Sequence, residues 1–390
     1  MAPEDISSDA LEEQVPKHEK PRTKKFQGWH LPRKTWIRIN QWGSEITNFI
    51  ANYPGIGQDN QFKYLTLPGT DLLDVRYLSS LMPDELQIKF LGFCSDLEEP
   101  NENELNLSLS EVMKLPNVHK ESKVIPDKFE QVVDVDSKAY HSLKDYAGFD
   151  AINIDLCNAL LPSGKRQIPS QCDGIKRILD VQMKFRKKPW LFFLTTRAGP
   201  NEVNNEDMQK LWKIIQDNAN EHTPFKDGVV SITGANPKDI DKLSDLKDHF
   251  SLLFGVGISK WLVKLMVSGT PPCIVTISRG HCYRIKSKSP NMLSLCFLMI
   301  PIATPRVDPA GIVNEQIQDD TTNDDYITSV LEVIEKFKNL GDIDIMMRNN
   351  KTLFDEMVQS TISLLEQARY DTTNYRKWVE EIMPNSLLPS

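Results

Sequence analysis

The chain has 390 residues, of which 40% are hydrophobic and 26% charged; this allows one large domain with additions and excludes a chain disordered throughout. A formal net charge of -8 excludes a general polycation for phosphate backbones, so any nucleic-acid contact has to be local. The six cysteines include no Cys-x-x-Cys pair, and Cys94, Cys157 and Cys296 lie in apolar runs, which points to a reducing, cytoplasmic location without a disulfide framework or a zinc site.

Residues 1–25 mix Pro, Glu, Asp and Lys without apolar periodicity, so a disordered tail is expected, with no signal-peptide core. Residues 26–60 form an N-terminal helical segment: after Pro32, the residues Trp36, Ile39, Trp42, Ile46, Phe49 and Ile50 recur at spacings of three and four and make one apolar stripe. The stretch 20–38 also packs basic groups around Phe26, Trp29 and Trp36. It reads either as a nucleic-acid surface, with cations tracking phosphates and aromatics stacking on bases, or as a solvated arm entering a helix whose tryptophans are core.

From 61 to 305 strands and helices alternate. Strands are expected at Tyr64–Leu67, Ile88–Phe93, Lys128–Val133, Phe149–Leu156 and Trp190–Thr195. Helices are expected at Leu72–Met82, through PNENELNLSLSEVMK, and at Ser137–Tyr146, Gly174–Phe185 and Glu206–Asn220. Such alternation, with fully apolar strands like WLFFLTT, predicts a mostly parallel sheet covered on both faces. The pattern then changes. A helix at Ile258–Val267 precedes strands at Cys273–Ser278 and Leu293–Ile300, separated by the polar stretch RGHCYRIKSKSPN, which predicts an antiparallel pair. The longest apolar run, Met292–Ile302, has eleven residues against the roughly twenty a membrane-spanning helix needs. Residues 306–325 read as an acidic linker, and 326–390 as amphipathic helices able to dock a protein partner.

This order of elements, over about 35–302, resembles the class I S-adenosylmethionine-dependent methyltransferase fold: a Rossmann-like, seven-stranded, mostly parallel α/β sheet with a terminal antiparallel strand pair, here followed by a C-terminal helical extension. The resemblance implies S-adenosylmethionine as cofactor. It puts the cofactor turn in YLTLPGTDLLD, where Gly69 is the single glycine of a degenerate loop and Asp71 and Asp74 are polar groups at the cofactor; Asp71 reads equally as an N-cap of the next helix. It puts the ribose-binding acid at Asp96, at the end of IKFLGFCSD, a residue that also reads as a solvated loop acid.

In FDAINIDLCNAL, Asn153 and Asp155 are two residues apart and so face the same side of a strand. Buried polar groups there need partners or a ligand, so the pair is the catalytic candidate, with satisfied structural hydrogen bonds as the alternative. Arg197, after PWLFFLTT, is placed to hold an anionic substrate or to pair with a neighbouring acid. No His-x-x-x-His, Walker or Gly-x-Ser-x-Gly motif is present, so neither a metal nor hydrolase chemistry is expected. Two functions remain open: a methyltransferase acting on an unknown acceptor, or a catalytically silent scaffold of the same fold that binds a protein or nucleic acid. The overall look also resembles components of bacterial phage-defence systems.

Overall fold

A computed structural model describes residues 24–57, 59–95, 101–164, 167–236, 249–303 and 322–389. The expected tail up to residue 23, the linker up to residue 321 and Asp96 lie outside the described residues.

The chain enters through α1 (Pro32–Trp36), whose first position is the proline, continues as a π-helical stretch at Ile37–Gly43 and ends in α2 (Ser44–Asn52). The expected stripe is largely the buried one: Trp36, Trp42, Ile46 and Phe49 are core, Ile39 and Ile50 are partly buried against it, and Ile37 joins them. There follow β1 (Gln61–Thr66), α3 (Leu73–Ser79), β2 (Gln87–Phe93), α4 (Asn101–Val112), β3 (Lys123–Ile125), α5 (Lys138–Tyr146), β4 (Ala151–Ala159), α6 (Gln171–Phe185) and β5 (Trp190–Arg197). After these come α7 (Asn205–Glu221), α8 (Thr223–Thr233), α9 (Phe250–Val267), β6 (Cys273–Ile277), β7 (His281–Tyr283) and β8 (Met292–Pro301). The C-terminal part comprises α10 (Thr322–Lys338), β9 (Gly341–Asp342), α11 (Ile343–Arg348), α12 (Lys351–Gln367) and α13 (Tyr375–Ile382). Side-chain caps fix several starts: Ser137 accepts from Tyr140 N, Ser170 and Asp173 form a capping box, and Asn204 accepts from Glu206 N and Asp207 N.

Strands β3, β2, β1, β4 and β5 lie side by side in that order, all parallel, and β8 runs antiparallel on the far side of β5. Both β6 and β7 pair antiparallel with β8, at Ile277↔Phe297 and His281↔Ser294, so they are two pieces of one strand broken at Ser278–Gly280. The short β9 adds parallel to β7. Counting the broken strand once, the order 3-2-1-4-5-7-6 with the seventh strand reversed is the class I methyltransferase sheet, extended by β9.

One expected strand is corrected. Phe129–Val133 is a 3₁₀ helix, and the third strand is Lys123–Ile125. Pro126 separates the two, and Phe129 and Val132, three apart, reach the core from one side of a helix, as alternation along a strand would not allow. Helix α8 and strand β7 lie in stretches read above as connections.

Alternation along the strands divides the apolar side chains between two cores. Leu65, Ile152, Ile154, Phe192 and Leu194 face a layer built from α5, α6, α7, α9 and α10. Phe62, Tyr64, Ala151, Leu191 and Phe193 face the opposite layer, built from the N-terminal helices, α3 and α11–α13. Helix α9 is long and apolar enough to cross a membrane, but it is mostly buried, against α7, α10 and β6. Asn153 and Asp155 follow Ala151 and therefore point into the layer that holds the N-terminal helices. That register positions the site.

Candidate functional site

A cleft of about 2100 Å³ opens at the carboxyl ends of β1, β2 and β4, where open α/β sheets bind ligands. A second cavity of about 850 Å³ lies beside it, over the ends of β4 and β5 and the start of β8. The two share a wall made by Trp29, Asp155, Leu156, Cys157, Arg197 and Glu202, and so form two lobes of one groove. Helix α1 and its π-helical continuation descend into the seam: Lys34 lines the smaller lobe and Arg38, four residues on, lines the larger.

Gly69 lies on the wall of the larger lobe with open space where a Cβ would stand. Its neighbour Pro68 packs against Gly92 on β2, where an added Cβ would lie 2.9 Å from the proline ring. Asp71 does not cap α3; the N-cap is Leu72, a buried residue in the left-handed region at φ 49, a conformation costing about 1 kcal/mol or more away from glycine. The Asp71 carboxylate instead accepts hydrogen bonds from Lys24 Nζ at 2.7 Å and Tyr370 OH at 2.8 Å. Burial alone would raise its pKa, but His30, Lys24 and Tyr370 together hold it down at about 2. Arg76 donates to Asp71 O and to Gln367 O, and Arg369 pairs with Glu104 and Glu111. The degenerate turn is thus cross-tied to both ends of the described chain.

Asn153 is fully buried. Its Nδ2 donates to Tyr64 OH at 2.8 Å, Tyr64 OH donates to Asp74 Oδ2 at 3.2 Å, and Thr66 Oγ1 donates to the same oxygen at 2.6 Å. Asn153 Oδ1 has no partner among the described residues. Burial raises the Asp74 carboxyl above its ordinary range. Asp155 lies in the seam, its Oδ1 accepting from Lys34 Nζ at 2.5 Å, while that ammonium also lies 4.7 Å from the Trp42 ring centroid. Burial lowers the Lys34 pKa and Asp155 opposes that shift. Arg197 donates Nη1 to Glu202 at 2.7 Å and Nε to Cys157 O at 2.8 Å, so the neighbouring-acid pairing is formed.

The structure therefore brings Gly69, Asp71, Asp155 and Arg197 to one groove and sets Asn153 just beneath it. Lys34, Arg38, Tyr64 and Tyr370 were missed, whereas Asp74, legible as a polar group beside the turn, lies beneath it in the Tyr64–Thr66 network. Lys34 and Arg38 were visible only as members of a basic run, and nothing in sequence spacing links them to β4. Of the basic-aromatic stretch, Lys25 and Trp29 remain exposed, whereas Lys24, Arg33 and Lys34 are committed to Asp71, Asp344 and Asp155. The described residues contain no group of three or more His, Cys, Asp or Glu arranged to hold a metal.

Strand order, the reversed last strand and a cleft over the carboxyl ends of β1, β2 and β4 define a class I S-adenosylmethionine-dependent methyltransferase fold. Within that class the chain belongs to the PP_RS20740-like family, whose model matches residues 23–380. No curated protein matches it. Similar solved structures include a putative rRNA methylase from Clostridium thermocellum, at 12% identity and TM-score 0.31, covering 66% of this chain and 96% of that one. An rRNA methylase from Streptococcus thermophilus matches at 9% identity and TM-score 0.33, covering 66% and 97%. The O-methyltransferase TomG from Streptomyces achromogenes, in complex with SAM, matches at 9% identity and TM-score 0.29, covering 72% and 92%. At these TM-scores the likeness adds nothing to the strand order, which carries the fold.

Proposed function

We propose that the larger lobe holds S-adenosylmethionine and the smaller lobe a methyl acceptor, with Asp155 in the seam between them. The observation that carries this reading is the shared wall: two adjoining cavities meet at Asp155, on the strand end where this fold brings two substrates together. The cleft fits the cofactor in two respects. Gly69 leaves open space beside the β1 turn, and Arg38 presents buried donors without partners among the described residues. When bound, the cofactor supplies an electrophilic methyl group.

The chain's own contribution is positioning and exclusion of water. Asp155, tethered by Lys34, offers a carboxylate to an acceptor hydroxyl or amine, and holding the acceptor in line is worth more than any single proton transfer. Asn153, locked by Tyr64, sets the floor beneath it, and Trp29 walls both lobes. Arg197, oriented by Glu202, is placed to meet an anionic part of the acceptor.

One observation favours the alternative, a silent scaffold binding a protein or nucleic acid: the β1 turn is tied down by Lys24 and Tyr370, and Pro68 has no N–H to offer. Melting curves separate the two. S-adenosylhomocysteine at one hundred times its Kd is expected to stabilise the protein by about 2.7 kcal/mol and to raise the Tm accordingly. An unchanged Tm at millimolar ligand would leave the scaffold reading standing.

A further inference from the structure

Arg38 sits in the π-helical stretch with only 6% of its surface exposed, and it lines the larger lobe. Neither its Nε nor its Nη1 has a hydrogen-bond partner among the described residues. Folding around a guanidinium without acceptors is costly, so a ligand is the natural source of them. The acids that act on it are Asp155 and Asp74, and both are engaged elsewhere: Asp155 with Lys34, itself a neighbouring cation, and Asp74 with Thr66 and Tyr64. The result is one unpaired cation flanked by two carboxylates at the wall of a cleft. π-Helical insertions of this kind recur at functional sites because they re-aim a side chain.

The β1 turn is a reason for a separate donor. Pro68 has no N–H, the Leu72 N–H is spent on Gly69 O, and the Asp71 carboxylate repels an anion. A turn with several glycines would let the backbone approach a ligand more closely at this place.

We propose that Arg38, with Asp74 and Asp155 beside it, is a receptor for a zwitterionic α-amino-acid group, the guanidinium taking the carboxylate and the flanking acids facing the ammonium. The inference rests on the cofactor reading above and deepens it, since S-adenosylmethionine ends in such a group. It assigns to an N-terminal helix an anchoring role that the degenerate turn has lost. Guanidinium matches a carboxylate through two parallel N–H donors, which a lysine cannot reproduce.

Calorimetry with three probes tests it: S-adenosylhomocysteine, 5′-methylthioadenosine, which keeps the nucleoside but lacks the amino-acid group, and free methionine. The wild type is expected to bind S-adenosylhomocysteine at least about tenfold more tightly than 5′-methylthioadenosine. In Arg38→Met that advantage should vanish, with 5′-methylthioadenosine binding unchanged and Tm no lower than wild type, because Nε and Nη1 have no partner to lose among the described residues. Arg38→Lys, which keeps the charge and loses the fork, should recover part of the advantage. Equal binding of the two nucleosides by the wild type, or an Arg38→Met protein that keeps its preference, overturns the proposal and leaves the cofactor reading intact. Methionine binding that depends on Arg38, without binding of either nucleoside, supports the amino-acid site and sinks the cofactor reading. No binding of any probe overturns both.

Discussion

Replacing Asp344 with alanine is expected to lower the stability by about 3–5 kcal/mol, because it leaves buried cations without their acceptor. Asp344, at the start of α11, is fully buried; its Oδ1 accepts from Arg33 Nη1 at 3.0 Å and its Oδ2 from Arg284 N at 2.7 Å. Arg33 also donates to Arg284 O, and Arg284 Nη1 reaches Asp342 at 2.7 Å. The cluster joins α1, the β7 end and α11, three segments far apart in sequence. Arg33 immediately precedes Lys34 and lies five residues before Arg38, so the same cluster holds the helix that supplies both seam cations. Denaturant unfolding of Asp344→Ala measures the loss. A change below about 1 kcal/mol would show that the cluster is not what fixes α1.

The second large effect runs the other way. Lys260→Met is expected to stabilise the protein at and below neutral pH. Lys260 lies inside α9, 1% exposed, with Nζ lacking any hydrogen-bond partner among the described residues and 4.6 Å from the Phe225 ring centroid. Burial pulls its pKa down from 10.5 to about 7, against the opposing pull of Asp217 and Glu221. The unfolded chain holds this proton up to about pH 10.5 and the folded chain only to about pH 7. Stability therefore rises with pH between those values, and the cost is fully present below pH 7. The difference corresponds to about 5 kcal/mol, an upper limit on what methionine of similar volume recovers. Unfolding free energies at pH 6.5 and pH 10 should differ less in Lys260→Met than in wild type. A variant less stable than wild type at pH 6.5 would show instead that the charged amine, over its aromatic rings, is a net stabiliser.

Local features of the site were readable in the sequence, and its partners were not. The spacing of Asn153 and Asp155 fixed their common face, because alternation is a property of the strand itself. That the face is closed by Lys34, 121 residues away, depends on how the N-terminal helices pack, and no local pattern encodes that. The single glycine in LPGTD marked the turn as degenerate; its tie to Tyr370, 299 residues on, was invisible for the same reason. Arg38 was hidden in a run of cations whose bulk reading was solvated or nucleic-acid-binding. Lys260 was hidden in FSLLFGVGISKWLVKLMV, where it and Lys264, four residues apart among apolar residues, read alike although only Lys260 is buried. The mostly parallel sheet with its antiparallel end followed from the alternation of elements, whereas the strand order, the break in the penultimate strand and the added β9 depend on pairing between distant segments. The misplaced third strand shows the limit of apolar runs of a few residues, which serve a 3₁₀ turn as well as an edge strand.

The central claim is that the larger lobe, beside the β1 turn, is an S-adenosylmethionine site. Gly69 allows a direct test, because its φ is ordinary and no atom lies within 4 Å of where its Cβ would stand, so a large side chain there starts from open space on the wall of the lobe. Titration calorimetry should show one S-adenosylmethionine bound per wild-type chain and none bound to Gly69→Trp of unchanged Tm. Absence of heat with the wild type, or equal binding by Gly69→Trp, would contradict the account.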